Sequence, residues 1–132
     1  MSAAGNWLEE NGLNFFFTAG SVTRPTAWYV ALYLTDPGDD GSGTEVSGTG
    51  YLRTTVTFSS ATSSGVLFQT TNSGSVSFPT AGSDWGTVTH VAVYNASSGG
   101  DLLAHSALDS PKVVSNGDTF VINASNLNIT LS

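Results

Sequence analysis

The chain predicts an all-β fold, an antiparallel β-sandwich of jelly-roll type with one short N-terminal helix, and three observations carry that prediction. From Gly86 to Leu131 apolar and polar residues alternate with period two. The clearest case sets Leu127, Ile129 and Leu131 against Asn126, Asn128 and Thr130, the pattern of a strand with one buried and one wet face. Eight or nine such short runs are separated by Gly, Asn and Ser turns, the spacing of two packed sheets. Finally, 19 Ser and 17 Thr stand in for charge. Charged residues are only 10% of the 132, against about 25% in an average soluble domain, and β-branched Thr suits a pleated surface.

Taken in order, residues 3–17 read as the only helix within an N-terminal helix or arm spanning 1–20. Leu8, Gly12 and Phe15 or Phe16 recur at helical spacing, with Glu9 and Glu10 early in the segment, where the helix dipole favours acids. Its aromatic tail, Phe15, Phe16 and Phe17, either plugs the end of the β core or packs on a neighbouring subunit. Ala27–Leu34 is apolar on both faces, so this strand is expected to be covered twice, by the facing sheet and by a helix or partner. Residues 36–50 form a long acidic, Gly-rich loop. Strands follow near 52–59, 65–71, 74–79, 87–94, 101–106, 112–114, 118–123 and 126–131. Asn116-Gly117 is the strongest hairpin signal, because both central residues of a type I′ turn need positive φ. With 39% hydrophobic residues and no linker or repeat, residues 1–132 read as a single domain.

Composition excludes several function classes. Three basic residues (Arg24, Arg53, Lys112) against ten acidic give a net charge of −7. No cationic cluster is available for nucleic acid or for an anionic membrane. No run approaches the 18 apolar residues of a membrane span, and the acidic N-terminus is not that of a secretory leader. Without Cys there is neither a disulfide nor thiolate chemistry. His90, inside a strand with Val88, Ala92 and Tyr94 on its face, reads as a residue hydrogen-bonded to a hydroxyl. His105, Asp109 and Ser110 hold the residue types of a hydrolase triad, but triad members are assembled by the fold and no nucleophile elbow is present. No catalytic residue, cofactor or metal is therefore assigned. Asp36, Asp39, Asp40 and Glu45 are hard oxygen ligands, yet the twelfth position of a calcium loop counted from Asp36 falls on Ser47. The loop is read as a solvated turn, with a divalent ion as the other option. Tyr51, Trp85 and Tyr94 are candidates to stack on sugars, although core packing is the commoner use of such residues. The Asn-x-Ser/Thr triplets at Asn95, Asn123 and Asn128 matter only in a glycosylating pathway.

Trp28-Tyr-Val-Ala-Leu-Tyr-Leu-Thr-Asp-Pro37 followed by Gly43-Thr-Glu-Val-Ser-Gly-Thr-Gly-Tyr-Leu-Arg53 resembles a signature of small tailed-bacteriophage virion proteins, often labelled tail fibre protein. Phe78–His90 and Lys112–Asp118 resemble the second half of the same family. The resemblance implies a virion component, assembled in the host cytoplasm, without catalytic residues. Size favours a capsid decoration or cement protein, a homotrimer bound to the major capsid protein or another virion protein. The alternative is a tail-fibre or tail-tip protein involved in receptor binding, using Trp85, Tyr94 or the acidic loop. Trp7, Phe15, Phe16, Phe17, Glu45 and Arg53 are the interface candidates. Glu45 and Arg53 are expected to pair with each other and to fix the geometry of a loop at a sheet edge or subunit junction.

Overall fold

In the computed structural model, which describes residues 3–65 and 67–131, the chain runs β1 (Ala3–Ala4), α1 (Asn6–Phe17), β2 (Trp28–Tyr33), β3 (Thr54–Val56), β4 (Thr62–Ser64), β5 (Leu67–Thr71), β6 (Val76–Ser77), β7 (Gly86–Tyr94), β8 (Leu102–Val114), β9 (Val121–Ile122) and β10 (Asn128–Leu131). All the pairings are antiparallel, and three sheets result. A five-stranded sheet is ordered β1-β8-β7-β2-β3, a three-stranded one β10-β5-β4, and β6 and β9 form a two-stranded ribbon. One face of the large sheet carries Val30, Leu32, Val56, Val88, Val91, Val93, Leu103 and Val114. It packs on Val76, Phe78, Phe120 and Leu127 from the ribbon and the smaller sheet. This is the predicted all-β sandwich with one helix.

Strand β2 is buried on both faces, as its composition predicted. Val30 and Leu32 enter the sandwich core, while Ala31 and Tyr33 join Ala92, Tyr94 and Leu102 in a second cluster on the outer face. The acidic loop of the same chain covers this outer face. The Tyr33 hydroxyl donates to the Gly41 carbonyl and shares a hydrogen bond with the Tyr94 hydroxyl. Gly41 has φ +79°, and a Cβ there would meet the Tyr94 hydroxyl at 2.5 Å, so only glycine lets the loop lie this close.

Several elements differ from the expectation. The helix begins at Asn6, because Ala3 and Ala4 pair with β8 at Ala3–His105 and Ala4–Ala104. Residues 62–64, expected to be a break, form β4 and pair with β5. The runs 101–106 and 112–114 are one strand, β8, continuous through Pro111. That proline falls where the register of β7 against β8 jumps from Val88–Lys112 to His90–Ala107, so no ladder partner loses a donor. The same irregularity at Thr89 puts Val88 on the core face with Val91 and Val93, and not beside Ala92 and Tyr94. At Asn116-Gly117 only Gly117 has positive φ, 93°, and the turn closes from the Asp118 amide to the Ser115 carbonyl at 2.9 Å. It is not a type I′ hairpin. The chain turns away from β8, and Phe120 enters the core, so that β9 pairs with β6. In β10, Leu127 and Ile129 pack inward as expected; the side chain of Leu131, like Val66, lies outside the described residues.

Asn72 fastens the smaller sheet and is the fully buried polar side chain among the described residues. Its Oδ1 accepts from the Leu127 amide at 2.9 Å, and its Nδ2 donates to the carbonyls of Gly74 and Asn123 at 2.8 and 2.9 Å. Asn72→Ala would strand the buried Leu127 amide and remove the partner of two part-buried carbonyls. It is expected to cost about 3 kcal/mol in urea unfolding; a loss below about 1 kcal/mol would contradict this role.

Candidate functional site

Two features of the surface are built in ways the core does not require: a clamp around Arg53, and the outer face of α1.

The clamp arises because the acidic loop must return alongside β2. Where β3 has ended, residues 44–46 take its place, with Leu34 N–H donating to Thr44 O and Val46 N–H to Leu32 O at 2.8 and 2.9 Å. This turns Glu45 toward Arg53. Nε donates to Glu45 Oε2 and Nη2 to Oε1, both at 2.9 Å, the bidentate geometry that a guanidinium favours. Arg53 Nη1 donates to the carbonyls of Ala96 and Gly99 in the β7–β8 turn. Its Cζ lies 3.7 Å from the centroid of the Tyr94 ring. Tyr51 completes the arrangement, donating to Glu45 Oε2 at 2.7 Å and accepting from the Leu32 amide at 3.0 Å. The expected pair is therefore formed, and the Arg53 side chain is only 8% exposed.

The electrostatics follow from this packing. Burial alone would raise the Glu45 carboxyl, but the hydrogen bonds from Arg53 and Tyr51, with the Arg53 charge, outweigh it and hold the group below its ordinary value. For Arg53, burial would lower the value; the Glu45 bonds and charge more than offset it, so it is held above its ordinary range. Burial first, then the Glu45 hydrogen bond, pushes the Tyr51 phenol far up. Burial, then the Tyr94 hydrogen bond, does the same for Tyr33.

Helix α1 is the opposite case, having no buried residue. Trp7, Leu8, Asn11 and Gly12 are half-buried against the body, whereas Leu13, Phe15, Phe16 and Phe17 are 61, 52, 76 and 81% exposed. Phe15 and Phe16 meet edge to face, with ring centroids 5.0 Å apart. The aromatic tail thus does not plug the core. Beside the first turn of the helix lies a groove of about 430 Å³, walled by Trp7, Trp28, Phe58, Leu103 and Ile129, with Arg24 among its lining residues.

The remaining candidates are occupied within the fold. Trp85 and Tyr94 are buried at 4 and 6% exposure, so neither can stack on a sugar. Trp85 donates from Nε1 to the Thr49 carbonyl, and Tyr51 packs between Phe78 and Trp85. Asp36 and Asp40 accept from the amides two residues on, Gly38 and Ser42, at 2.9 and 3.0 Å. Asp39 is bonded to His105 Nε2 at 2.8 Å. No group of three metal-binding side chains forms among the described residues. His105 faces this loop: its Nε2 is bonded to Asp39 and its Nδ1 lies 3.9 Å from Asp36, while no bond to its strand-mate Asp109 is found among the described residues. His90 Nδ1 is 2.8 Å from the Thr89 hydroxyl, the kind of partner expected for it. Sequence reasoning missed the groove, because its walls come from segments far apart in the chain. The pairing of two tryptophans with Arg24 is visible only once α1, β2 and β10 are in place.

Removing half of the clamp tests it. Arg53→Leu leaves a carboxylate without its partner and is expected to cost about 3 kcal/mol at neutral pH. The folded value of Glu45 lies below the unfolded value near 4.5. The contribution of the pair is therefore present above that value and is lost as pH falls through the folded one. Glu45→Gln should flatten that acid limb of a stability–pH curve; an unchanged limb would remove Glu45 from the account.

Comparison with known proteins bears on the whole chain. No curated protein matches it. The profile described as Podophage GP4 fiber I protein gp80 matches residues 3–130, nearly the entire sequence and every element described above except the last residue of β10. The chain belongs to this podophage fibre protein family.

Proposed function

We propose that this chain is a non-enzymatic structural subunit of the phage fibre apparatus, a rigid β scaffold that assembles with copies of itself, as a homotrimer, and with other proteins of the particle. The observation that carries this reading is the outer face of α1. Three adjacent phenylalanines more than half exposed form an apolar patch of the kind that marks an interaction surface. Leaving it wet forgoes about 25 cal/mol for every Å² that a partner would cover.

Other features support the reading. Membership of a fibre protein family makes the chain a virion component, and the description of the family favours the fibre over the head. The two imidazoles are each tied to a neighbour, His90 to Thr89 and His105 to Asp39, which accords with a scaffold role. A surface rich in hydroxyls and poor in charge is inexpensive to desolvate against other subunits. If the fibre contacts a host receptor, Trp85 and Tyr94 are not the contacts, because both lie inside the fold.

Small size and the hydroxyl-rich surface also suit a second reading, a capsid decoration protein cementing the head shell through the major capsid protein. Position and copy number separate the two. A cryo-EM map of the particle is expected to show a handful of copies at the tail. Hundreds of copies spread over the head would overturn the fibre assignment in favour of cement.

A further inference from the structure

Building on the self-assembly reading, we propose that the contact between copies is heterologous: the Phe16–Phe17 face of α1 from one copy seats in the groove beside Trp28 and Phe58 of the next. The chain carries both halves of such a joint. Leu13, Phe16 and Phe17 follow the i, i+3, i+4 spacing of one helix face, and all three project into solvent. The groove is an apolar hollow of about 430 Å³ lined by Trp7, Trp28, Phe58, Leu103 and Ile129, large enough for two phenyl rings. Among the described residues none covers the aromatic face and none fills the groove.

Charge points to a second copy as that occupant. With a net charge of −7, copies repel except where charge is absent or opposed. Residues 11–23 contain no ionisable side chain. Arg24, exposed and lining the groove, has no ion-pair partner among the described residues, and neither have Glu9 and Glu10 on α1. Glu9 and Glu10 precede Phe16 and Phe17 by seven residues, about 10 Å along a helix. When the phenyls fill the groove of the next copy, these acids can therefore approach Arg24 on its rim. The joint would pair apolar with apolar and acid with base.

Area sets the character of the contact. Leu13 and the two phenyls present roughly 400 Å² and would cover a similar area of groove, below the roughly 1,200 Å² of a stable two-body interface, so a single such contact is weak on its own. Made in one direction only, a contact between two different patches leaves one of each free on every pair. It gains most by closing into a ring, in which every copy is held twice. A trimer is the smallest such ring.

Because the chain lacks cysteine, cross-linking reads the joint directly. Phe17→Cys and Ser59→Cys, the second at an exposed residue lining the groove, are mixed and oxidised with diamide. The expected product is a disulfide between the two variants. Phe16→Ser with Phe17→Ser, and separately Ser59→Trp to fill the groove, should each weaken self-association by roughly a hundredfold in sedimentation runs. Both change exposed positions, and circular dichroism confirms that each variant is folded. Arg24→Glu should weaken association likewise, and Glu9→Arg with Glu10→Arg in the same chain should restore it. If Ser59→Trp leaves association intact, or Phe17→Cys cross-links mainly to itself, the helices meet one another and the groove is not the seat; self-assembly would survive that result. If the wild-type chain stays monomeric at hundreds of micromolar, both this inference and the self-assembly reading fail.

Discussion

The burial of β2 on both faces is the constraint on which the structure turns. A strand with Val30 and Leu32 on one side and Ala31 and Tyr33 on the other leaves no face for water. The sandwich core covers the first side in the usual way. The second has no helix available, since α1 lies elsewhere, so residues 36–45 fold back over it. That cover is polar and rich in glycine and would not adhere by hydrophobic burial alone. It is fastened by specific bonds: Tyr33 to Gly41, His105 to Asp39, and the Glu45–Arg53 clamp, which also secures the β7–β8 turn. The acidic loop thus owes its composition to its task as a lid on a strand. Its carboxylates satisfy backbone amides and a histidine within the chain.

The same economy divides the surface. Most of the few charges are assigned locally, as with Arg53, Asp36, Asp39 and Asp40. Arg24, Glu9 and Glu10 are not, and all three lie at or beside the aromatic helix and its groove. One of the three cations, Arg24, thus stands beside an apolar hollow. The helix carries the most exposed aromatic side chains among the described residues, Phe16 and Phe17, while Leu52, Phe68, Val113 and Val121 are exposed elsewhere on the surface.

Local patterning determined much of this protein. The alternation through Leu127 and Ile129, the doubly apolar β2 and the acid–base pair across the Gly-rich loop were all legible. Each depends on side-chain periodicity or on residues close in the chain. The break in register between Thr89 and residues 108–111 of β8 was not, because a local change of register leaves no compositional mark, yet it moves Val88 to the opposite face. Nor was the path after Asn116-Gly117, where the demand of Phe120 for the core outweighed a strong hairpin signal. The aromatic residues divide most sharply. Hydrophobicity alone ranks Trp85, Tyr94 and Phe16 alike, and only the tertiary structure decided that the first two are sealed inside and the third stands in solvent. The reason is geometric: a twelve-residue helix that touches the sandwich through Trp7, Leu8, Asn11 and Gly12 must turn its other apolar stripe outward.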